Sequence, residues 1–382
     1  MPTTRRTAGA TIRELTPGTS LDPFIRVDWA VNAGDPNWVP PLRMSLEAAL
    51  DRRRHPFHAH ADVAYFLADG PSGPVGRIAA IVNHLHNQFH DDQVGFFGLF
   101  QCADDESTAA ALLDTAASWL SQRGMTSMRG PMNFSTNEEV ASPGVLVEGF
   151  HSPPAVMMSH NPPYYDRLLT AAGLGKAKDV VATIFDQPEA LPERGERVLD
   201  RLLERAGVTI RPLDLKRFRR EVEALKEVYN AAWSLNWGFV PMTDAEFDHL
   251  AREFRPIVDP DLCFIAENGD EPVGFSLALP DLNEALRHLP NGRLLPFGWA
   301  RLLWHRRRIR SLRHLTVGLK PRLHHAGLGQ AFYRRTWLTG VAKGYVRAEG
   351  SWILEDNHEM LRAIERMGGR IYKRYRIYER RI

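Results

Sequence analysis

The sequence predicts a mixed α/β protein that carries one domain twice. Thr11-Ile12-Arg13 recurs as Thr209-Ile210-Arg211, an offset of 209 − 11 = 198. The same offset aligns Phe66-Leu67-Ala68-Asp69 with Phe264-Ile265-Ala266-Glu267, and Pro74-Val75-Gly76 with Pro272-Val273-Gly274, without a gap. One short match is cheap, but three on one offset mark a duplication. Both copies alternate strand-like and helix-like patterns, and 382 residues are enough for two cores.

In the first copy Val63 to Ala68 reads as a strand, Asp69-Gly70 as a turn, and Val75 to Val82 as the returning strand of a hairpin. A strand (Val94 to Gln101), a helix (Thr108 to Arg123) and a strand (Met128 to Phe134) follow. Asn161 then opens a short helix that stops at Gly173, and Val180 to Asp186 closes the copy. The second copy repeats the order with strands Leu262 to Glu267 and Val273 to Leu279 around Asn268-Gly269-Asp270, then strand Leu312 to Leu319 and helix Gly329 to Ala342. Strand Ala348 to Leu354, a helix from Asn357 to Gly368 and strand Ile371 to Glu379 complete it. Gln187 to Arg194 holds two prolines and interrupts both periods, which sets the expected domains at 1–190 and 191–382.

Composition narrows the chemistry. A net charge of +2 gives no global attraction to nucleic acid, although local basic runs remain. Cys102 and Cys263 stand far apart in apolar runs, so neither a disulfide framework nor Cys/His zinc spacing is present, and no metal is expected. Met1 to Leu15 has no hydrophobic signal core and no apolar stretch reaches spanning length, so a cytoplasmic chain is expected, with peripheral contact with the inner membrane open.

The stretch Leu319-Lys320-Pro321-Arg322-Leu323-His324-His325-Ala326-Gly327-Leu328-Gly329-Gln330 joins an apolar strand pattern to a helical one. Two glycines at the mouth of a helix leave backbone N–H groups unshielded beside the positive end of the helix dipole, which suits a pyrophosphate. Neither a dinucleotide fingerprint nor a P-loop fits, because a third glycine and a Gly-Lys-Ser/Thr are both missing. The stretch resembles the acyl-CoA loop of the GCN5-related N-acyltransferases (GNATs), roughly Val-x-Pro-x-x-Arg/Gln-Gly-x-Gly-Ile-Gly. Leu319, Pro321, Gly327, Leu328 and Gly329 keep the pattern, while His324 and His325 depart from it. Asn357-His358-Glu359-Met360 before Met367-Gly368 resembles the family's fourth helix.

That resemblance implies two tandem GNAT-like domains, each a mixed, mostly antiparallel sheet flanked by helices, with acyl-CoA as co-substrate. The fourth and fifth strands, Leu315 to Leu319 and Ala348 to Leu354, would part around the pantetheine. The family's acyl-CoA site then maps onto Val317, Leu319, His324, His325, Ala326, Gly327, Leu328, Gly329, Gln330 and Asn357, and Arg322 could add charge. Transfer to an amine needs a base, since an alkylammonium of pKa about 10 must lose a proton first. Glu355 and Asp356 at the end of the fifth strand are the candidates, with Glu349 lower on the same strand, although a carboxylate at a strand end also serves as a helix cap. The family's usual tyrosine, seven residues after the Asn, is here Ile364, so either His358, Tyr372, Tyr375 or water supplies the acid, with Tyr375 taken as the catalytic candidate, or the thiolate leaves unprotonated.

The first copy has Gln101-Cys102-Ala103-Asp104-Asp105-Glu106-Ser107 in place of the cradle, with three carboxylates and no glycine, so it should have lost acyl-CoA. Its long polar stretch from Gly130 to Tyr165 reads as a binding loop, with Asn133, Ser135, Asn137, Glu138 and Tyr164 as acceptor contacts. The second copy has an insertion that mixes leucines and tryptophans with arginines over 294–313, as an interfacial membrane segment would. Gly130-Pro131-x-Asn133-Phe134-Ser135 with Asn161-Pro162-x-Tyr164-Tyr165 resembles a group of tandem proteins that includes the bacterial ceramide synthases. This resemblance implies a long-chain acyl group passed to a sphingoid-base amine. Rival readings are an aminoacyl-tRNA-dependent peptidoglycan-type transferase, against which the cradle counts, and a non-catalytic acyl-CoA-binding protein. Acyl length, acceptor and oligomeric state stay open.

Overall fold

The computed structural model describes residues 5–6, 10–135, 143–186, 193–234, 236–326 and 328–382. Its first part runs β1 (Arg5–Arg6), β2 (Thr11–Glu14), α1 (Asp22–Asn32), α2 (Arg43–Leu50), β3 (Ala61–Gly70), β4 (Gly73–Asn83), α3 (His84–His90), β5 (Val94–Cys102), α4 (Glu106–Ser121), β6 (Ser127–Gly130), β7 (Val145–Glu148), α5 (Tyr165–Ala171) and β8 (Gly175–Asp186). The rest runs α6 (Glu193–Ala206), β9 (Thr209–Pro212), α7 (Phe218–Ala232), α8 (Asp244–Phe254), β10 (Cys263–Asn268), β11 (Glu271–Pro280), α9 (Asn283–Leu286), α10 (Gly298–Arg306), β12 (Ser311–Leu319), α11 (Leu328–Ala342), β13 (Arg347–Leu354), α12 (His358–Arg366) and β14 (Arg370–Arg381).

Two compact units result, and they are not two continuous halves. The first comprises Met1–Val181, Leu286–Trp304 and Lys373–Ile382, the second Ala182–Ala285 and His305–Tyr372. The break expected near residue 190 lies outside the described residues. The first unit recruits the C-terminal strand: β14 pairs antiparallel with β6 (Tyr378↔Gly130) and with β7 (Tyr375↔Leu146).

In the first unit β2, β3, β4 and β5 form antiparallel ladders, and β5 runs parallel to β6 from Val94↔Ser127 to Phe96↔Arg129. Phe66, Ile78, Phe97, Leu112, Leu120 and Tyr165 belong to its core. Burying one such leucine contributes about 1.5–3 kcal/mol. In the second unit β9, β10, β11 and β12 are antiparallel, and β12 runs parallel to β13 from Ser311↔Arg347 to His314↔Gly350. Leu203, Phe264, Leu319, Leu328 and Phe332 are packed in its core.

The duplication is visible atom by atom. A Cβ on Gly76 would stand 2.8 Å from Leu112 Cδ1, and one on Gly274, 198 residues on, 2.6 Å from Leu319 Cδ2. In both copies the same glycine also stands close to a carbonyl of the next strand, Gln101 O at 3.1 Å and Gly318 O at 3.0 Å from its Cβ position. Both also place one extra residue in the strand before the parallel pair. In β12 the register jumps from Leu277↔Thr316 to Ala278↔His314, which leaves Leu315 as a bulge; in β5 it jumps from Arg77↔Gln101 to Ala79↔Gly98, across Leu99 at φ 49. A bulge bends its strand and ends regular pairing.

Candidate active site

In the second unit β12 and β13 pair over four rungs and then separate. The last pair is His314↔Gly350, yet β12 continues to Leu319 along β11 and β13 continues to Leu354. The Leu315 bulge lies one residue past the last rung. Peptide groups need hydrogen-bond partners, so strands that diverge invite an extended, amide-bearing ligand between them. Leu319 buries its side chain in the core against which half-buried Val317 packs, so any part these two play toward such a ligand falls to their backbone.

Beyond β12 the chain makes a 3-10 turn over Pro321–Ala326 and enters α11 at Leu328, the strand, turn and helix order expected. Gly327 and the side chains of His324, His325 and Ala326 lie outside the described residues. Leu328 is buried and pins the start of the helix, while Gln330 is exposed. At Gly329 a Cβ would meet nothing within 4 Å. Packing does not call for glycine there, so it fits a helix start that a large anion approaches closely. Arg322 is turned to Glu271 at 2.6 Å, and Lys320 pairs with Glu271 at 2.9 Å and with Glu227. These cations hold Glu271 below the usual carboxylate range.

Just before the strands part, Arg313 and Glu349 are cross-strand partners, both buried. Arg313 Nε donates to Ser351 Oγ at 2.8 Å and a terminal nitrogen to Ser351 O at 3.2 Å, with Nε 3.8 Å from Glu349 Oε1. The Ser351 hydroxyl donates to Glu349 Oε1 and the Tyr372 hydroxyl to Oε2, so both carboxylate oxygens are engaged. A buried carboxylate is tolerable only with such partners, and a proton acceptor held this way can work out of water. Alternation along β13 puts Glu349 and Ser351 on one side; only the register adds Arg313 and Tyr372. On the opposite face of β12, His314 Nε2 lies 2.8 Å from Ser276 Oγ and its ring 4.5 Å from that of Tyr333. Burial pushes His314 down to about 3 and Tyr333 up to about 12.

The other candidates are placed as follows. Glu355 follows β13, half-buried, and Asn357 caps α12 by accepting from Met360 N–H at 3.1 Å. Tyr375 belongs to the first unit, fully buried opposite Leu146. The structure therefore groups Tyr372, not Tyr375, with Glu349. Sequence reasoning assigned Arg313 to the arginine-rich insertion over 294–313, whereas it is buried within β12, and it passed over His314; the available signal was two polar residues inside an otherwise apolar strand.

The first copy has filled its own version of the site. Asn133 Oδ1 accepts from Leu99 N–H at 2.7 Å, and Arg77 Nε donates to Leu99 O at 3.0 Å, so both peptide groups of the bulge are taken. A Cβ on Gly98 would stand 2.1 Å from Met132 O, which shows how tightly 131–133 presses on β5. Tyr164 donates to Cys102 O at 2.8 Å, and Cys102 N–H to the Tyr165 hydroxyl at 2.9 Å. At the start of α4, where a phosphate would sit, the Asp105 carboxylate accepts from Ser107 N–H and Thr108 N–H at 3.1 and 3.2 Å. Asn133 and Tyr164, expected to touch an acceptor, thus have work within the fold. Ser135 is buried, and Asn137 and Glu138 lie outside the described residues.

No family model matches the chain. Among curated proteins it is 39% identical over 369 residues to "Bacterial ceramide synthase" of Caulobacter vibrioides, covering 94% of each chain. It is 33% identical over 370 residues to "Protein YghO" of Escherichia coli, covering 95% of this chain and 93% of that one. Among solved structures, a tandem GNAT protein from the clavulanic acid biosynthesis pathway superposes with TM-score 0.55 at 11% identity, over 97% of this chain and 98% of that one. The GCN5-related glucosamine N-acetyltransferase region of a fungal β-N-acetylglucosaminidase gives TM-score 0.57 at 14% identity, over 98% of this chain and 38% of that one. With strands that part beside a buried carboxylate, a glycine-bearing helix start and a relative this similar from end to end, the chain belongs to the bacterial ceramide synthase family of tandem GNAT-fold N-acyltransferases.

Proposed function

We propose that this enzyme transfers a long-chain acyl group from acyl-CoA to the amine of a sphingoid base, and that the second unit holds the acyl donor. The observation that carries the reading is the end of β12–β13 pairing at His314↔Gly350, one rung beyond the buried Glu349. The name of the Caulobacter relative supports the lipid acceptor.

Bound acyl-CoA would supply an activated thioester carbonyl. The diverging backbone from Leu315 on β12 and from Ser351 on β13 would hold its pantetheine amides, and the start of α11 at Leu328 to Gln330 its pyrophosphate. Glu349 is the proton sink. Both of its oxygens already accept hydroxyl donors, so the ammonium proton arrives along one of them. Tyr372 is half-buried whereas Ser351 is buried, which makes the Tyr372 hydroxyl the accessible relay. Tyr372 accepts from the ammonium while it donates to Glu349. The freed nitrogen lone pair then attacks the carbonyl carbon and a C–N bond forms; the C–S bond breaks, the proton held by Glu349 passes to the thiolate, and the second proton that the nitrogen sheds to become an amide leaves to solvent along the same Tyr372–Glu349 path.

Incubation with palmitoyl-CoA and sphinganine, followed by mass spectrometry, tests this. N-palmitoyl sphinganine and free CoA in equal amounts are expected. Acylation of a soluble amine instead would overturn the lipid acceptor, and acyl-CoA binding without turnover on any amine would overturn the enzyme reading.

A further inference from the structure

Between β11 and β12 the chain leaves the sheet for about thirty residues. This excursion is anchored: Trp29 Nε1 donates to Pro290 O at 2.6 Å and Arg43 N–H to Gly292 O at 2.9 Å, both within the first unit. Past the anchor, Trp299 N–H bonds Leu294 O at 2.8 Å and Trp299 Nε1 bonds Pro296 O at 3.1 Å, so the loop before α10 is folded rather than loose. Yet this ordered piece covers no core. None of the nine residues of α10 is buried. Leu295 is 78% and Phe297 79% exposed, and Trp299, Leu303 and Trp304 are each half exposed or more. Soluble surfaces rarely gather so many large apolar side chains in ten residues.

Charge identifies what covers them. Residues 287–313 contain eight arginines and no Asp or Glu, and of these arginines Arg313 is the buried one. Arg293 and Arg301 are exposed in the same stretch as the apolar residues. A second copy of this chain would bring the same arginines against themselves. An anionic bilayer has the opposite charge and an apolar interior, and the indole rings of Trp299 and Trp304 suit the boundary between headgroups and acyl chains. We propose that Arg293 to Trp304 is a docking surface for anionic lipid, with Leu295 and Phe297 entering the acyl region and the arginines holding phosphates. The purpose of this surface rests on the proposed lipid substrates, both of which partition into membranes; its geometry does not.

Vesicle flotation tests it, with the full chain and vesicles of phosphatidylcholine with or without phosphatidylglycerol. Binding is expected with phosphatidylglycerol, weakened by salt, and weak without it. Each arginine near an anionic surface is worth about fivefold in partition, so R293Q/R301Q should lose on the order of 25-fold. L295S/F297S should lose binding while circular dichroism and Tm stay as in the parent, because these side chains are exposed. Equal binding to both vesicles would overturn the electrostatic part. Failure to float, or concentration-dependent dimerisation that L295S/F297S abolishes, would overturn the surface as a membrane site. Turnover of detergent-dispersed substrates is measured alongside. Loss of flotation with retained turnover in the parent protein sinks this inference alone, whereas flotation without turnover sinks only the proposed activity.

Discussion

Arg313 and Glu349 face each other across the next-to-last paired rung of β12 and β13, 2% and 3% exposed, with Ser351 Oγ bridging them. Removing one partner of a buried pair leaves an uncompensated charge, at a cost of about 3–5 kcal/mol. The two ends of the pair therefore separate experimentally. Arg313→Met should destabilise the second unit by that amount in denaturant unfolding. Glu349→Gln leaves the Arg313 charge uncompensated and should also lose stability, but its polar, isosteric side chain should keep acyl-CoA affinity of the folded enzyme within a few-fold while kcat falls by about 10²–10⁴. Unchanged kcat in Glu349→Gln would remove Glu349 from the chemistry.

Tyr372→Phe keeps the ring and deletes the hydroxyl that donates to Glu349. As a relay it should cost kcat on the order of tenfold to a hundredfold with KM for acyl-CoA retained, since the interaction matters in the proton transfer and not in donor binding. A rise in KM alone would make Tyr372 a positioning residue for the donor. Tyr375→Phe, on a residue of the first unit, should leave kcat close to that of the parent.

Gly329→Asp tests the helix start without disturbing the fold, because a Cβ there meets no neighbour. The new carboxylate would stand where the pyrophosphate is expected and would cap the N–H groups itself, much as Asp105 caps α4 in the first copy. Affinity for CoA, measured by calorimetry, should fall by at least about 100-fold with Tm unchanged or slightly raised. Unaltered affinity would place the phosphates elsewhere.

What the sequence made legible was local. Both hairpins, the strand before α11, α11 itself and the final helix stand within a few residues of their expected bounds, because turn signals and apolar periods are written in neighbouring residues. Strand Met128 to Phe134 was expected too long: β6 ends at Gly130, and Met132 N–H turns instead to Phe97 O at 2.7 Å. Nothing in the local pattern reports that competing bond. The site depends even more on distant partners. The end of pairing at His314, the meeting of Glu349 with a tyrosine 23 residues away, and the return of β14 to pair with β6 are matters of register. Register is set by the whole sheet, so a search by spacing found Glu349 but placed Arg313 with the arginines of the 294–313 insertion.

His314 supplies the pH dependence. Its ring is buried on Ser276 and Tyr333, and burial pushes it down to about 3 from an ordinary 6.5. Between those values the unfolded chain binds a proton that the folded chain refuses, so unfolding becomes progressively easier as pH falls from about 6.5 towards 3. The stability present above pH 6.5 is lost over that window, up to about 5 kcal/mol from this residue. His314→Gln keeps an acceptor for the Ser276 hydroxyl and cannot titrate. It should cost stability at pH 7 through poorer packing on Tyr333, yet flatten the acid limb. Hydrogen exchange of β12 amides, read at pH 7 and again near pH 5, should show the parent losing protection and His314→Gln losing less. Equal losses in the two proteins would assign the acid lability to other histidines whose burial pushes them down, such as half-buried His58 (to about 4) and buried His86 (to about 3).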